Sequence, residues 1–373
     1  MLKLIATAAF GLEAVVKREV TALGFKGLSV SDGRVDFSGC FADIAKANIW
    51  LRSADRVLIN MGGFNALTFD ELFEGTKALE WEEWIPINGK FTVTGKSVRS
   101  QLFSVPDCQA IVKKAVVERL KLRYKTEWFR EDGPEYKIQA GLLKDKATLT
   151  IDTTGLGLHK RGYRPVASLA PLKETLAAAL ISLTYWRRER ILLDPMCGSG
   201  TIPIEGALIA KNIAPGLNRR FISENWPQLP EQIWKDARAE ARAAEINDLQ
   251  PHIFGSDIDP KAVELAKYNA DKAGVGEFIH FETKALKNIT LPGKYGIAVC
   301  NPPYAERLGT IEESRRLYAD MRNVFGQDGS WSLNVITSDE FFEQAYGKKA
   351  IKKRKLFNGR IKTDYYQYPG LPL

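Results

Sequence analysis

The chain has 373 residues, 45% of them hydrophobic and 26% charged, which is ordinary globular usage and argues against wholesale disorder or a fibrous protein. Its length suggests two or three domains, and no run approaches 18 consecutive apolar residues, so no membrane partner is expected. The 53 Lys and Arg against 45 Asp and Glu leave a net charge of +8, which permits a polyanionic partner without requiring one.

In chain order, residues 2–8 read as a strand, and residues 12–23 carry apolar side chains at helical spacing until Gly24 stops them. The opening apolar stretch is short and Glu13 and Lys17 follow at once, so a signal peptide is not expected and a cytoplasmic location is the default. Residues 27–37 form a strand pair turning at Ser31-Asp32-Gly33, and residues 42–51 a helix. This β-α-β-β-α order suggests a ferredoxin-like unit over residues 1–55. Over residues 56–155 there follow a strand at 56–61, a helix at 70–79, a strand at 91–97 and a long helix at 106–124. The runs 137–143 and 147–153, joined by Lys144-Asp145-Lys146, make a hairpin. Residues 156–170 are basic and rich in glycine at their start, and read as a linker between two halves; Pro171 then opens a helix in the favoured first-turn position.

Beyond it strand and helix alternate. Strands are expected at 190–196, 253–257, 278–282, 296–300 and 332–337, and helices at 202–211, 260–273 and 311–325. Such alternation means a doubly wound parallel sheet, here over residues 171–373. Residues 212–250, with Arg219, Trp226 and Trp234, are too long for an ordinary connection and read as an insertion with a helical stretch. The runs 350–357 and 360–368 flank Asn358-Gly359, a hairpin signal, so the parallel sheet closes with an antiparallel hairpin.

The chemistry sits at three strand ends. The first is Leu193-Asp194-Pro195-Met196-Cys197-Gly198-Ser199-Gly200-Thr201. Its glycines let a ligand approach the backbone, and the following helix start offers free N–H groups and a positive dipole end. The third glycine of a dinucleotide loop is replaced by Pro203, and the lysine of a P-loop is missing. Asp194 would repel phosphate and suits a ligand that carries positive charge. The second is Gly255-Ser256-Asp257-Ile258-Asp259-Pro260, where Asp257 can accept both hydroxyls of a ribose and Asp259 caps a helix. The third is Asn301-Pro302-Pro303-Tyr304. Its prolines remove two N–H groups and leave carbonyl acceptors; the Asn side chain adds another acceptor and the Tyr a flat ring. Together these can hold a planar heterocycle and accept both hydrogens of its exocyclic amine.

The four cysteines, Cys40, Cys108, Cys197 and Cys300, form no close pair, and there are three histidines; no metal site is expected and the thiols should be reduced. Cys197 and Cys300 should lie near the ligand as small hydrophobes. Lys173 and Glu174 read as ordinary helix-start residues, with a floor beneath the ligand as the alternative.

Residues from about 165 to 373 resemble class I S-adenosylmethionine (SAM)-dependent methyltransferases that act on amino groups, whose fourth motif is Asp/Asn-Pro-Pro-Tyr. Asp194, Gly198 and Gly200 match the first motif, Asp257 the second, and the terminal hairpin the antiparallel seventh strand. The resemblance implies SAM as cofactor, its cationic groups explaining the acid in the glycine loop. It places Asp194, Pro195, Cys197, Gly198, Gly200, Thr201, Asp257, Ile258 and Ala285 around SAM, and makes Asn301, Pro302, Pro303 and Tyr304 catalytic. One departure is Lys284, where the family often has an acid near the adenine.

Three further segments, Ile151-Asp152-Thr153-Thr154-Gly155, His159-Lys160-Arg161-Gly162-Tyr163-Arg164 and Ala170-Pro171-Leu172-Lys173-Glu174-Thr175, extend the similarity over nearly the whole chain. With the motifs above they resemble a bacterial family of methyltransferases that carry an N-terminal THUMP RNA-binding domain. Its characterised relatives methylate guanine N2 in large-subunit ribosomal RNA, although members were often labelled N6-adenine-specific DNA methylases. The resemblance implies an α/β fold: a Rossmann-like class I methyltransferase sheet behind an α+β ferredoxin-like and THUMP half, with the THUMP domain at residues 56–155. It also implies RNA, 23S rRNA or its assembly intermediate, as partner. Adenine-N6 methylation of DNA or RNA, and a non-catalytic RNA-binding protein with a vestigial methyltransferase fold, are the alternatives. Two basic segments are expected to meet RNA: residues 159–164, through Lys160, Arg161 and Arg164, and residues 348–362, through Lys352, Lys353 and Arg354. Arg161 and Arg164 are the leading candidates; the alternative is that they bridge the two halves through acidic residues.

Overall fold

The structure is a computed structural model, and it describes residues 1–164, 172–303, 311–326 and 329–371. Two seven-stranded sheets organise it. The first contains β1 (Leu2–Ala8), β2 (Lys26–Ser31), β3 (Arg34–Gly39), β4 (Ala54–Asn65), β5 (Lys90–Val98), β6 (Glu135–Leu143) and β7 (Lys146–Asp152), in the order β2-β3-β1-β4-β7-β6-β5. Strand β4 pairs with β1 on one side and β7 on the other. One continuous sheet therefore joins the ferredoxin-like unit to the unit that follows. A register shift between Asn60 and Gly62 gives this 12-residue strand the local bend a bulge produces. The strand runs past Met61, where the sequence pattern alone would end it, because Gly62 and Gly63 interrupt the apolar run.

Helices α1 (Glu13–Ala22), α2 (Phe41–Trp50), α3 (Phe69–Lys77) and α4 (Val105–Tyr124) cover this sheet. Val16, Val20, Ile44, Leu72, Val112 and Val116 are fully buried in one cluster with strand residues such as Leu4, Val57, Ile59 and Ile138. Thr68 caps α3 in a reciprocal capping box with Glu71.

The second sheet contains β8 (Leu192–Asp194), β9 (Ile253–Asp257), β10 (Ile279–Thr283), β11 (Ile297–Cys300), β12 (Ser332–Thr337), β13 (Lys352–Asn358) and β14 (Ile361–Tyr368), in the order β10-β9-β8-β11-β12-β14-β13. The pairs from β10 to β12 are parallel, and β14 runs antiparallel to both β12 and β13. The expected terminal hairpin is present. The strand order reverses between β8 and β11, and ligands bind in open α/β sheets beyond the carboxyl ends of strands at such a point. The helices here are α5 (Glu174–Ser182), α6 (Thr201–Ala210), α7 (Glu231–Ala243), α8 (Pro260–Lys272), α9 (Ile311–Phe325) and α10 (Phe342–Tyr346). With five residues, α10 is too short to show helical periodicity in the sequence. Among the described residues no helix is long and apolar enough to cross a membrane.

The insertion at residues 212–250 grips the first half. Trp226 stacks on Tyr136 with ring centroids 4.6 Å apart and donates its indole N–H to the Glu135 carbonyl at 3.0 Å. Trp234 stacks on Phe221, and both are buried in the core of the first half. The Gly216 N–H donates to the Ile49 carbonyl at the end of α2 at 2.9 Å. Arg219 donates to the carbonyls of Leu156 and Gly157. Sequence spacing shows an insertion but not which half it serves.

The joint between the halves corrects an expectation. Arg161 is only 4% exposed and pairs with Glu205 of α6 at 3.3 Å; it also donates to the Leu158 and Arg52 carbonyls. The Tyr163 hydroxyl donates to the same Glu205 carboxylate at 3.1 Å. Arg164 pairs with Glu174 at 2.6 Å and donates to the Thr201 hydroxyl at 3.1 Å. Glu205 is fully buried, and a buried carboxylate demands a paired cation. Arg161 therefore bridges the halves, through the Glu205 carboxylate on one side and the Arg52 carbonyl on the other, whereas both partners of Arg164 lie in the second half; neither guanidinium is free for RNA phosphate, and Lys160 is the exposed one of the three.

Candidate active site

Strands β8, β9 and β11 end side by side, with Asp194 opposite Gly255 and Leu193 opposite Ala298. At their carboxyl ends lies a cleft of about 1240 Å³, somewhat larger than a typical small-molecule pocket of about 300–1,000 Å³. Asp194, Pro195, Cys197, Gly198, Thr201, Asp257, Ile258, Ala285, Asn301, Pro302 and Pro303, all named from sequence, line it. Gly200 stands behind the loop, and Tyr304 lies outside the described residues.

Asp194 is 2% exposed, and its carboxylate accepts one hydrogen bond, from the Met196 N–H at 3.1 Å. Burial raises its pKa well above the usual carboxylate range, and the nearby Asp257 charge raises it further, against the Met196 bond. Among the described residues an ionised carboxyl group in this position has no cationic partner, which a sulfonium or ammonium group would supply. Asp257 accepts the Gly198 N–H at 2.9 Å and the Asp259 N–H at 3.0 Å, one on each oxygen. These bonds fix its orientation and leave each oxygen a lone pair for a hydroxyl donor. Asp259 accepts from the Lys261 N–H at the start of α8, as a capping residue.

The loop between Asp194 and α6 takes its shape from close packing. Gly200 has φ +80°, and a Cβ there would lie 2.9 Å from the Ala266 Cβ of α8; glycine alone meets both conditions. The Asn269 side chain on α8 donates to the Ser199 carbonyl at 3.0 Å. It is a buried loop-holding group that sequence reasoning misses, because one Asn inside a helix carries no signal. Burial pushes the Cys197 and Cys300 thiols well up, helped by the Asp194 charge. Both therefore stay protonated and act as packing groups.

Asn301 brings an acceptor to the cleft: its Oδ1 is buried and without a hydrogen-bond partner among the described residues. Lys284 turns to Glu282, 3.2 Å away, rather than into the cleft. The opposite wall comes from α9 through Glu313, Arg316, Leu317 and Asp320. These positions are spaced i, i+3, i+4, i+7, a helical-face signal present in the sequence that nothing local ties to the site. The floor suggested for Lys173 and Glu174 is also corrected. Leu172 lines the cleft, Glu174 is committed to Arg164, and Lys173 faces a separate crevice.

On the terminal hairpin Lys352, Lys353 and Arg354 are exposed. Lys353 is partly engaged, with Asp364 at 3.4 Å and the Tyr366 ring beneath it. Arg354 donates to the Gly11 carbonyl at 3.2 Å.

A parallel sheet closed by an antiparallel hairpin, an acid-glycine loop after its first strand, a ribose-type acid after its second and Asn-Pro-Pro at the end of β11 define a class I SAM-dependent methyltransferase. The buried Asp194 carboxylate, without a cationic partner among the described residues, and the glycine cradle fit that cofactor. Residues 161–367 match the RMKL-like methyltransferase domain, residues 3–58 the RlmL ferredoxin-like domain and residues 66–152 the THUMP domain. The chain belongs to this THUMP-containing, RMKL-like family of SAM-dependent RNA methyltransferases. It is 53% identical to the proposed RNA methyltransferase YpsC of Bacillus subtilis (strain 168), over 98% of this chain and 95% of that protein. It is 32% identical to the ribosomal RNA large subunit methyltransferase K/L of Psychromonas ingrahamii, over 99% of this chain but only 50% of that protein, so it spans half of that relative's length. The crystal structure of SMU.472, a proposed methyltransferase in complex with S-adenosylhomocysteine (SAH), superposes with a TM-score of 0.93 at 44% identity, over 100% of this chain and 99% of that one.

Proposed function

We propose that the protein methylates the exocyclic N2 of a guanine in large-subunit ribosomal RNA. The observation that carries this reading is the Asn301 Oδ1, a buried acceptor with no partner among the described residues, at the rim of the SAM cleft. Bound SAM supplies an electrophilic methyl group on its sulfonium sulfur. Asp194 would hold the cationic side of the cofactor and Asp257 its ribose, while Pro195, Cys197, Gly198, Gly200, Thr201, Ile258 and Ala285 would shape the cradle. Asn301 Oδ1 and a carbonyl of the Pro302-Pro303 segment accept the two hydrogens of the amine. That draws the nitrogen lone pair out of conjugation with the ring and points it at the methyl group. Tyr304, outside the described residues, is assigned by the resemblance to stack on the base. The methyl–sulfur bond would break as the nitrogen–methyl bond forms, and the extra proton of the methylated amine would pass to water afterwards, so no strong base is required beforehand.

Ribosomal RNA is supported by the Psychromonas relative's name, and a ribosomal substrate implies a cytoplasmic enzyme. Lys160, Lys352 and Arg354 are assigned to RNA phosphates, with Lys353 contributing through its partly free ammonium. The test is nucleoside mass spectrometry on ribosomal RNA from a deletion strain. Loss of one N2-methylguanosine, restored by the purified protein and SAM, is the expected result. Loss of N6-methyladenosine instead would assign the enzyme to adenine, and an unchanged modification profile would overturn the reading.

A further inference from the structure

Beside the cofactor cleft lies a second crevice, of about 230 Å³, at the seam between the two halves. Phe10 and Leu12 enter it from the loop after β1, Asp55 from β4, Lys173 and Thr175 from the start of α5, and Phe357 from the terminal hairpin. Leu172 lines the cofactor cleft and the next residue, Lys173, lines the crevice. Their Cα atoms are one peptide step of about 3.8 Å apart, so the cavities share a wall one chain thick. Both open on the same edge of the sheet. Thr337, the last residue of β12, lies opposite Asp364 of antiparallel β14. The turn after Phe357 therefore projects beyond the carboxyl ends of the parallel strands, where Asp194, Asp257 and Asn301 also sit.

The lining is unlike a seam that only packs. Leu12 is 1% exposed, whereas Phe10 at the rim is 56% exposed. The Phe10 and Phe357 rings meet edge to face at 5.9 Å, one from each half. Among the described residues the Asp55 carboxylate makes a single side-chain hydrogen bond, with the Thr175 hydroxyl at 3.5 Å, the outer limit of such a bond. Lys173 lines the same crevice, yet no ion pair joins these two described side chains. Burial raises the Asp55 carboxyl pKa, with Lys173 acting against the rise. A seam built for stability alone would pair these opposite charges directly or replace them with apolar groups.

A flat ring against Phe10 and Phe357 and two adjacent N–H donors against a carboxylate describe guanine. Its N1–H and N2–H lie side by side, one for each oxygen. Adenine and cytosine set an acceptor nitrogen beside their amine, and that acceptor would face the carboxylate. We propose that this crevice is a second nucleobase subsite, which takes a guanine of the RNA close in sequence to the methylated base, with Asp55 reading its donor edge, Phe10 and Phe357 its ring, and Lys173 a neighbouring phosphate. The inference rests on RNA being the substrate and is independent of which base is methylated.

The test uses the full-length protein saturated with SAH, with GMP, AMP, CMP and UMP as probes in ligand-observed NMR titrations. GMP should bind most tightly. Phe10→Ala should weaken it about 5- to 150-fold, the range carried by one stacked base, and Asp55→Asn should remove the preference for GMP. SAH affinity should stay unchanged in both variants and neither should melt appreciably below wild type; Phe10 is exposed enough that its truncation leaves folding intact, and Asp55→Asn removes a carboxyl whose burial opposes its charged form. GMP binding should persist in Asn301→Ala. Equal binding of the four nucleotides, no binding at all, or GMP binding that falls in Asn301→Ala and survives in Asp55→Asn and Phe10→Ala would each overturn the subsite. If the wild-type protein methylates no RNA while GMP binding still maps to Asp55, the substrate reading fails and the subsite stands.

Discussion

At Asp194 the protein keeps a carboxylate where an unliganded fold favours a neutral group. Burial, reinforced by Asp257, raises its folded-state pKa above the unfolded value of 3.8. Its contribution to stability is therefore full below that value and is lost as pH rises through the folded pKa. Asp194→Asn removes this loss. The unliganded variant should melt above wild type at pH 7.5, and the gap should close as pH falls toward 4. Its affinity for SAH should drop about 10- to 150-fold, the equivalent of one hydrogen bond to a charged group. Thermal melts across pH with and without SAH check both effects, and a variant less stable than wild type at pH 7.5 would contradict the assignment. Asn301 behaves differently, because its Oδ1 is a neutral acceptor, unpartnered among the described residues, in a residue that lines the cleft. Asn301→Ala should lower kcat about 10²–10³-fold, as removal of an oriented polar catalytic group does. SAH affinity measured by calorimetry should be unchanged. A wild-type turnover would reduce the tetrapeptide to a structural loop.

At the scale of elements, the seam between the halves is built from side chains that a linear reading assigns elsewhere. Arg161 looks like an RNA contact in a basic run, yet it is the counter-ion of a fully buried Glu205 on the helix that follows the cofactor loop. Arg161→Ala strands that carboxylate and should cost about 3–5 kcal/mol in chemical denaturation, the penalty of breaking a buried pair. An Arg161→Met/Glu205→Met double variant should recover most of the loss, and the salt dependence of RNA binding should not move in either. A steeper or shallower salt slope in the double variant would return Arg161 to the RNA surface. The insertion shows the same limit from the other side. The Ala-, Arg- and Glu-rich composition of α7 marks a helix, but only tertiary contacts, the stacking of Trp226 on Tyr136 among them, show that the segment clamps the N-terminal half.

For the whole molecule, Lys352 and Arg354 are exposed on β13, the outer strand of the sheet that carries the SAM cleft, and Lys160 is exposed at the joint between the halves. Lys352→Ala/Arg354→Ala should weaken RNA binding and flatten the plot of log K against log salt by about 0.7–0.9 for each phosphate that the variant no longer neutralises. Filter binding at several salt concentrations checks this, and SAH affinity should not change; an unchanged slope would remove the hairpin from the RNA surface. What is legible in the sequence is what local chemistry dictates. The alternation of strand and helix, the Asn358-Gly359 hairpin and the strand-end motifs at Asp194, Asp257 and Asn301 depend on residues close together in the chain. Those residues are enough for the fold class and for the cofactor. Tertiary structure decided the rest: that β4 carries one sheet through both N-terminal units, that α9 walls the cleft, that Arg161 and Arg164 are internal ion pairs, and that Asp55 meets Lys173, Phe10 and Phe357 around a crevice. Each of these depends on partners in different elements, from ten to hundreds of positions apart. Burial and pairing of a charge are properties of such partners, so a basic run reads the same in sequence whether it faces phosphate or a buried carboxylate.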